Sequence, residues 1–357
     1  MLLTRKDFIC DHLFTATGIE LAQEESRSEY CWEFVNYIDY LPKFQEAILD
    51  LFTINRVSHK EESPYGFHKS YPSARSFYLQ KAYFCIGNHC FVTIDSLTGK
   101  FLVFQNTQIN SQSGQLIIVS DRMPNGFYSA IRNSLVLLEI GHILYNVDYI
   151  SMCFENDIKN VTINKDYIQI DFSKCSEDLD LTDCSREISF FKTKLKLRTS
   201  GPYYRKLRNL SCNYKDGIYD IRTEISIQYK KLFGKEYTDD SIKILTLKND
   251  GDKFISQNNL YLPYHILNSE YNYVDFRYSS QYTLFLIKLH VNEPLEISRL
   301  VLLIGYIAQE ICVENSNSSR YNRPVKQVLS DEKWEHYLKT SFPNYLQFYA
   351  VISGNIS

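Results

Sequence analysis

The chain reads as an α+β protein built from two tandem halves, and three observations carry that reading. Helix-spaced and strand-spaced apolar stretches alternate along the whole length of 357 residues, enough chain for two units of about 150 residues each. Late in each half stands an apolar helix with a glycine in it: LVLLEIGHILYN from Leu135 and LVLLIGYIAQE from Leu300, 165 positions further on. Before each half's main body stands an arginine close to a serine, Arg27-Ser28 and Arg198-Thr199-Ser200, at an offset of 171. Two similar offsets point to an internal repeat. The expected division is residues 1–172, a linker over 173–186 and residues 187–357.

Taken in order, Ser28–Phe52 carries Phe34, Ile38, Leu41, Phe44, Ile48, Leu51 and Phe52 at helical spacing, with Pro42 dividing two expected helices. A polar, breaker-rich stretch follows over Ser58–Pro72. Phe77–Ile86 predicts a strand. Phe91–Phe104 predicts a hairpin turning at Ser96-Leu97-Thr98-Gly99. After the polar loop Gln105–Gln115 comes a short strand at Leu116–Val119. Leu135–Ile150 is the strongest helix of this half and carries Glu139, Gly141 and His142.

Ser173–Arg186 (SKCSEDLDLTDCSR) is polar and acidic without apolar period, and is read as the linker. Beyond it the outline repeats. Helix is expected over Arg222–Phe233, strands near Ile242–Leu247 and Tyr282–Leu289, and an apolar helix over Ile297–Ile311. An amphipathic stretch, Asp331–Leu338, and a last strand, Tyr345–Ser353, close the chain.

Composition narrows the function. With 39 basic and 42 acidic side chains the net charge is −3, which argues against nucleic acid as the main partner, because phosphate binding shows as a basic excess. The apolar runs fall short of the roughly 20 residues that cross a bilayer. The opening MLLTRKDFICDHLF places charges where a secretory signal needs apolar residues, so a cytoplasmic protein is expected. Nine cysteines are scattered without a Cys-x-x-Cys pair and the eight histidines are dispersed, so no metal site is expected. Nucleophile-elbow, Walker-type and His-Glu-x-x-His motifs are absent.

The residues resemble the flavin-dependent nitroreductase superfamily, and within it the azoline dehydrogenases, which oxidise thiazolines and oxazolines in ribosomally made peptides. The stretch carrying most of the likeness is YPSARSFYLQKAYF (Tyr71–Phe84). There Pro72, Ser73, Ala74, Tyr78 and Tyr83 match the family's Pro-Ser-Ala-Gly segment and following strand, while Arg75 replaces the glycine. Glu139, Gly141, His142 and Asn146 match its Leu-Leu-Glu-x-Gly-His helix, and FPNYLQFYAVISG (Phe342–Gly354) its terminal strand.

The resemblance implies two nitroreductase-like halves, each an antiparallel-rich sheet flanked by helices, forming an intramolecular pseudo-dimer. It implies FMN as cofactor. Arg198, Ser200 and Arg205 with Arg320, Arg323 or Lys326 would hold the phosphate, and Pro72, Ser73 and Ala74 would lie against the ring. The reciprocal site would use Arg27 and Ser28, but the second half offers only Leu262-Pro263-Tyr264-His265 opposite them, so one FMN per chain is expected. The family's Lys-Tyr catalytic pair falls on Phe127 and Tyr128, which leaves Tyr128 with Arg132 one helical turn on. Glu139 and His142 are read as structural polar contacts.

The implied activity is dehydrogenation of azoline rings in a precursor peptide, beside a cyclodehydratase and a leader-binding protein. A nitroreductase-like scaffold without catalysis and a general NAD(P)H flavin reductase stand as alternatives.

Overall fold

A computed structural model describes residues 32–57, 67–121, 131–174, 184–200, 221–237, 240–256, 261–270, 276, 279–288, 293–316, 320–326 and 332–355. The first sheet contains β1 (Glu33–Ile38), β4 (Gln80–Gly87), β5 (Cys90–Ile94), β6 (Phe101–Gln105), β7 (Leu116–Ser120), β8 (Ile158–Ile163) and β9 (Tyr167–Phe172), in the order β1-β6-β5-β4-β7-β9-β8. The second contains β10 (Ile242–Asn249), β11 (Lys253–Ser256), β12 (Tyr261–Pro263), β13 (Ser279–Lys288), β14 (Arg320–Val325) and β15 (Tyr345–Asn355), in the order β12-β11-β10-β13-β15-β14. A small ladder pairs β2 (Arg56–Val57) with β3 (Phe67–His68).

The two large sheets repeat one plan. Without its edge strand β1, the first sheet maps onto the second strand for strand, β4 to β9 on β10 to β15, and every pairing in both is antiparallel. In each, one long helix joins the corresponding strands. Helix α2 (Arg132–Cys153) runs between β7 and β8, and α6 (Pro294–Glu314) between β13 and β14. The shorter helices are α1 (Lys43–Leu49), α3 (Ser185–Leu197), α4 (Ile225–Phe233), α5 (Tyr264–Glu270) and α7 (Glu332–Ser341).

The two long helices pack on each other at the centre of the main core. Helix α6 is buried along almost its whole length, from Ile297 to Val313, as its apolar composition demands. The contact is reciprocal at the glycines. A Cβ added to Gly141 would fall 2.2 Å from the Leu302 carbonyl oxygen and 2.8 Å from Gly305 Cα, while one added to Gly305 would fall 2.4 Å from the Leu138 carbonyl oxygen. Only glycine lets the two backbones approach this closely. Both sheets contribute to the core around the pair. Ala82, Phe84, Leu116 and Ile168 come from the first, Phe285, Ile287, Phe348 and Val351 from the second.

Local chemistry fixes the ends of several elements. The β5–β6 turn is held by Asp95 Oδ1, which accepts from the Leu97 and Thr98 amides at 2.9 and 2.7 Å, and Gly99 takes the left-handed φ of 72° that the turn requires. Pro294 opens α6, where a missing amide hydrogen costs nothing.

Two expectations need correction. Glu33–Ile38 is a strand rather than part of a helix; it pairs with β6 at the sheet edge and is exposed, so Phe34 and Ile38 are not on one buried helical face. Ser185 and Arg186, placed at the end of the expected linker, open α3. The basic run from Arg320 forms β14, with Tyr321, Asn322 and Val325 buried. Helix Lys43–Leu49, the hairpin, both long helices and the final strand stand where the sequence predicts them.

Candidate functional site

Where α3, β14 and the residues after β3 meet, a cluster of polar side chains forms around the residue that ends α3. Helix α3 stops at Arg198, whose backbone turns extended at ψ 122°. From there Arg198-Thr199-Ser200 runs beside β14: the Asn322 amide donates to the Thr199 carbonyl at 2.9 Å and Arg323 Nε to the Ser200 carbonyl at 2.8 Å. On its other side the segment meets the first half. Arg56 Nη1 donates to the Arg198 carbonyl at 2.5 Å, and Arg198 Nη2 reaches the Lys69 carbonyl at 3.4 Å.

The Arg198 side chain is only 3% exposed, yet its Nε and Nη1 have no hydrogen-bond partner. A buried guanidinium left this way is costly, and it is the chemistry that receives an anion. The groups facing it are neutral ones. His142 is pushed down to about 3 by burial and by the adjacent Arg198 charge. Cys312 is pushed up to about 12 by burial, and Tyr349 is raised by burial too. Tyr349 Oη lies 3.1 Å from His142 Nε2, while His142 Nδ1 has no partner.

The chain just before Pro72-Ser73-Ala74 is tied to both long helices through Ser70. Asn146 and Gln309, one from each helix, both donate to the Ser70 carbonyl, at 3.3 and 3.1 Å, and Gln309 also donates to Asn146 Oδ1 at 2.9 Å. Ser70 Oγ in turn donates to the Leu51 carbonyl at 2.7 Å. Ser73 Oγ accepts from the Tyr78 amide at 2.9 Å and hydrogen-bonds Glu139. The chain is bent sharply here: Ser76 and Tyr78 both take positive φ, 53° and 48°, a conformation non-glycine residues adopt at a cost of about 1 kcal/mol or more.

Glu139 is buried beneath this segment, and burial raises it to about 8 against the pull of Ser73, Lys69 and the Leu79 and Gln80 amides. Lys69, lowered by burial, acts on it electrostatically and stands 5.6 Å from the Tyr78 ring centroid. Tyr71 is fully buried with its Oη unpartnered.

The structure therefore places Arg198 beside the Lys69 carbonyl, three residues before Pro72, Ser73 and Ala74, with Arg323 bonded to the Ser200 carbonyl. Arg320 opens β14 and Lys326 follows its last residue, about 20 Å apart along an extended chain, so one phosphate does not contact both. Arg320 Nη1 donates to Asn315 Oδ1 at 2.8 Å, and Lys326 Nζ donates to the Phe348 carbonyl at 2.8 Å while lying 3.5 Å from that ring's centroid. Arg132 is the first residue of α2. Tyr128, Phe127, Arg205, Arg27 and Ser28 lie outside the described residues.

Sequence reading missed Lys69, Ser70, Gln309, Cys312 and Tyr349 as parts of this site. Gln309 was the one with a visible signal, an amide inside an otherwise apolar helix. A separate surface groove between α1 and α3, lined by Lys43, Glu46, Lys192 and Lys196, contains none of these residues. Among the described residues no cluster of three or more His, Cys, Asp or Glu is arranged to hold a metal ion, and no helix is long and apolar enough to cross a membrane.

No family model matches the chain, and no curated protein does. Among solved structures it is similar to a protein from Anabaena variabilis assigned as a nitroreductase. The match covers 96% of this chain and 98% of that one, with a TM-score of 0.63 and 9% sequence identity. The two-lobed α+β architecture is thus nitroreductase-like.

Proposed function

We propose that the chain is an FMN-dependent oxidoreductase that oxidises thiazoline or oxazoline rings of a modified peptide. The observation that carries the cofactor part is the buried Arg198 guanidinium with two unpartnered nitrogens, whose Nη2 reaches the Lys69 carbonyl three residues before the Pro72-Ser73-Ala74 segment. A flavin phosphate is an anion of the kind that such a group demands. Small residues at 72–74 suit the approach of a flat ring. FMN bound there supplies the hydride-accepting chemistry.

The chain's own residues then have distinct tasks. Arg198 and Ser200 bind the anion, with Arg205 and either Arg320, Arg323 or Lys326 joining them. Asn146, Gln309 and Ser70 hold the 72–74 segment in place from both helices. Glu139, uncharged over most of the neutral range, fixes Ser73. Tyr128, with Arg132 nearby in sequence, is the candidate group for taking a proton from the ring carbon. A cyclodehydratase that makes the rings and a leader-binding protein are the expected partners.

The decisive experiment is to purify the protein, record its visible spectrum, identify the released cofactor, and incubate the protein with a thiazoline peptide. Loss of two hydrogens from the peptide, abolished in Tyr128→Phe, is the expected result. Flavin without peptide oxidation but with rapid bleaching by NADPH would instead indicate a general flavin reductase. A protein that takes up no FMN would be a scaffold, the reading that Phe127 in place of lysine and Arg75 in place of glycine favour.

A further inference from the structure

We infer that only one of the two sites this architecture offers can take a flavin, because the other has been filled by an acidic network of the chain itself; this rests on the flavin reading above. The glycine crossing sets the equivalence. Gly141 and Gly305 are 164 positions apart, as are Leu138 and Leu302, whose carbonyls make the reciprocal contacts. The same step relates His142 to Tyr306, Asn146 to Glu310 and Asp148 to Cys312. His142 and Cys312 feel the Arg198 charge, and Asn146 stands one turn beyond His142 on α2, so the counterpart of this place lies around Tyr306, Glu310 and Asp148.

The two places are chemically opposite. Around Arg198 the equivalent residues are a neutral histidine, an amide and a protonated thiol, and the guanidinium retains unpartnered donors. In the counterpart two carboxylates stand at the positions of the amide and the thiol, 3% and 1% exposed. Both are provided for internally. Asp148 accepts from Tyr306 Oη at 2.7 Å, from Lys231 Nζ at 2.7 and 2.9 Å, and from Gln228 Nε2 at 3.3 Å. Glu310 accepts from the Arg222 and Thr223 amides at 2.7 and 3.3 Å and from the Thr223 hydroxyl. Helix α4 and the residues leading into it are thereby tied across the helix pair. A phosphate entering here would meet two buried carboxylates whose donors are already taken, and like charges at short range disfavour it.

The test is FMN titration of the full chain by calorimetry, with released FMN quantified against protein. One FMN per chain is expected. Arg198→Ala is expected to weaken binding by at least about thirtyfold, the usual effect of truncating one partner of a buried charge contact. Asp148→Asn and Tyr306→Phe are expected to leave the affinity within about twofold, as sites without shared partners do, while lowering the melting temperature. Tyr306→Phe keeps the Lys231–Asp148 pair, so it serves if Asp148→Asn does not fold. Two FMN per chain, or a tenfold loss of FMN affinity in Tyr306→Phe, would overturn the inference and leave the flavin reading standing. No FMN at all would overturn the flavin reading and this inference with it.

Discussion

Gly141 and Gly305 lie against each other where the two long helices cross, each facing the other helix's backbone without a side chain between them. The relationship makes a sharp demand. A methyl at either position meets a carbonyl oxygen or a Cα, and backbone cannot rotate aside as a flexible side chain can. Gly141→Ala and Gly305→Ala should each destabilise the protein by about 2–3 kcal/mol, the scale of overpacking, despite the roughly 0.5–1 kcal/mol by which alanine favours a helix over glycine. Urea unfolding of the two variants checks this. A variant as stable as the parent would show that the helices do not cross there.

Lys231 and Asp148 join α4 to α2 through a pair whose aspartate is 1% and whose lysine is 25% exposed. Removing the lysine alone, as in Lys231→Met, leaves a buried carboxylate with only Tyr306 and Gln228 to hold it, and should cost about 3 kcal/mol. Replacing both members, as in Lys231→Met with Asp148→Asn, removes the charge that was stranded and should recover most of that loss. A double-mutant cycle by denaturant unfolding measures the coupling. Additive effects would mean that the pair contributes nothing beyond its separate side chains.

Much of this architecture was legible in the sequence because long apolar runs leave few choices. The two central helices, the hairpin with Asp95 and Gly99, and the terminal strand all follow from period and turn chemistry. Strand β1 was not legible. Its residues are exposed at a sheet edge, so no buried face imposes alternation, and Phe34, Ile38 and Leu41 fall by chance at helical spacing. Strand β14 was hidden by its arginines and by its lack of alternation, since the neighbours Tyr321 and Asn322 are both buried on this edge strand. In the site, Pro72-Ser73-Ala74 and Arg198-Thr199-Ser200 stood out as short motifs. His142 and Tyr349 are 207 positions apart, and Ser70 and Gln309 are 239 apart. Nothing local to either residue of such a pair announces the other.

Glu139 gives the protein a pH dependence whose direction is fixed by its burial. The folded state holds its proton up to about 8, against an ordinary value of 4.5, so between those two pH values the folded chain binds more protons than the unfolded one. Stability from this group is therefore fully present below about 4.5 and is lost as pH rises to about 8. Glu139→Gln cannot titrate and can still accept from Ser73. Relative to this variant, the parent should lose stability by about 1.4 kcal/mol per pH unit across that window. Unfolding free energies of both proteins at several pH values test it; parallel curves would mean that Glu139 ionises normally in the fold.

Arg198 sets function against stability. Without an anion beside it, the guanidinium is buried with two nitrogens unpartnered, and its one side-chain hydrogen bond, to the Lys69 carbonyl, is long at 3.4 Å. Methionine has a similar length and no desolvation cost to recover, so it removes the cost of a buried charge that lacks a partner. Arg198→Met should therefore raise the melting temperature of the cofactor-free protein while abolishing the stabilisation that added FMN gives the parent. Thermal unfolding of both proteins with and without FMN distinguishes the possibilities. A less stable cofactor-free variant would mean that the arginine is a structural residue satisfied within the fold, and an unchanged response to FMN would place the phosphate elsewhere.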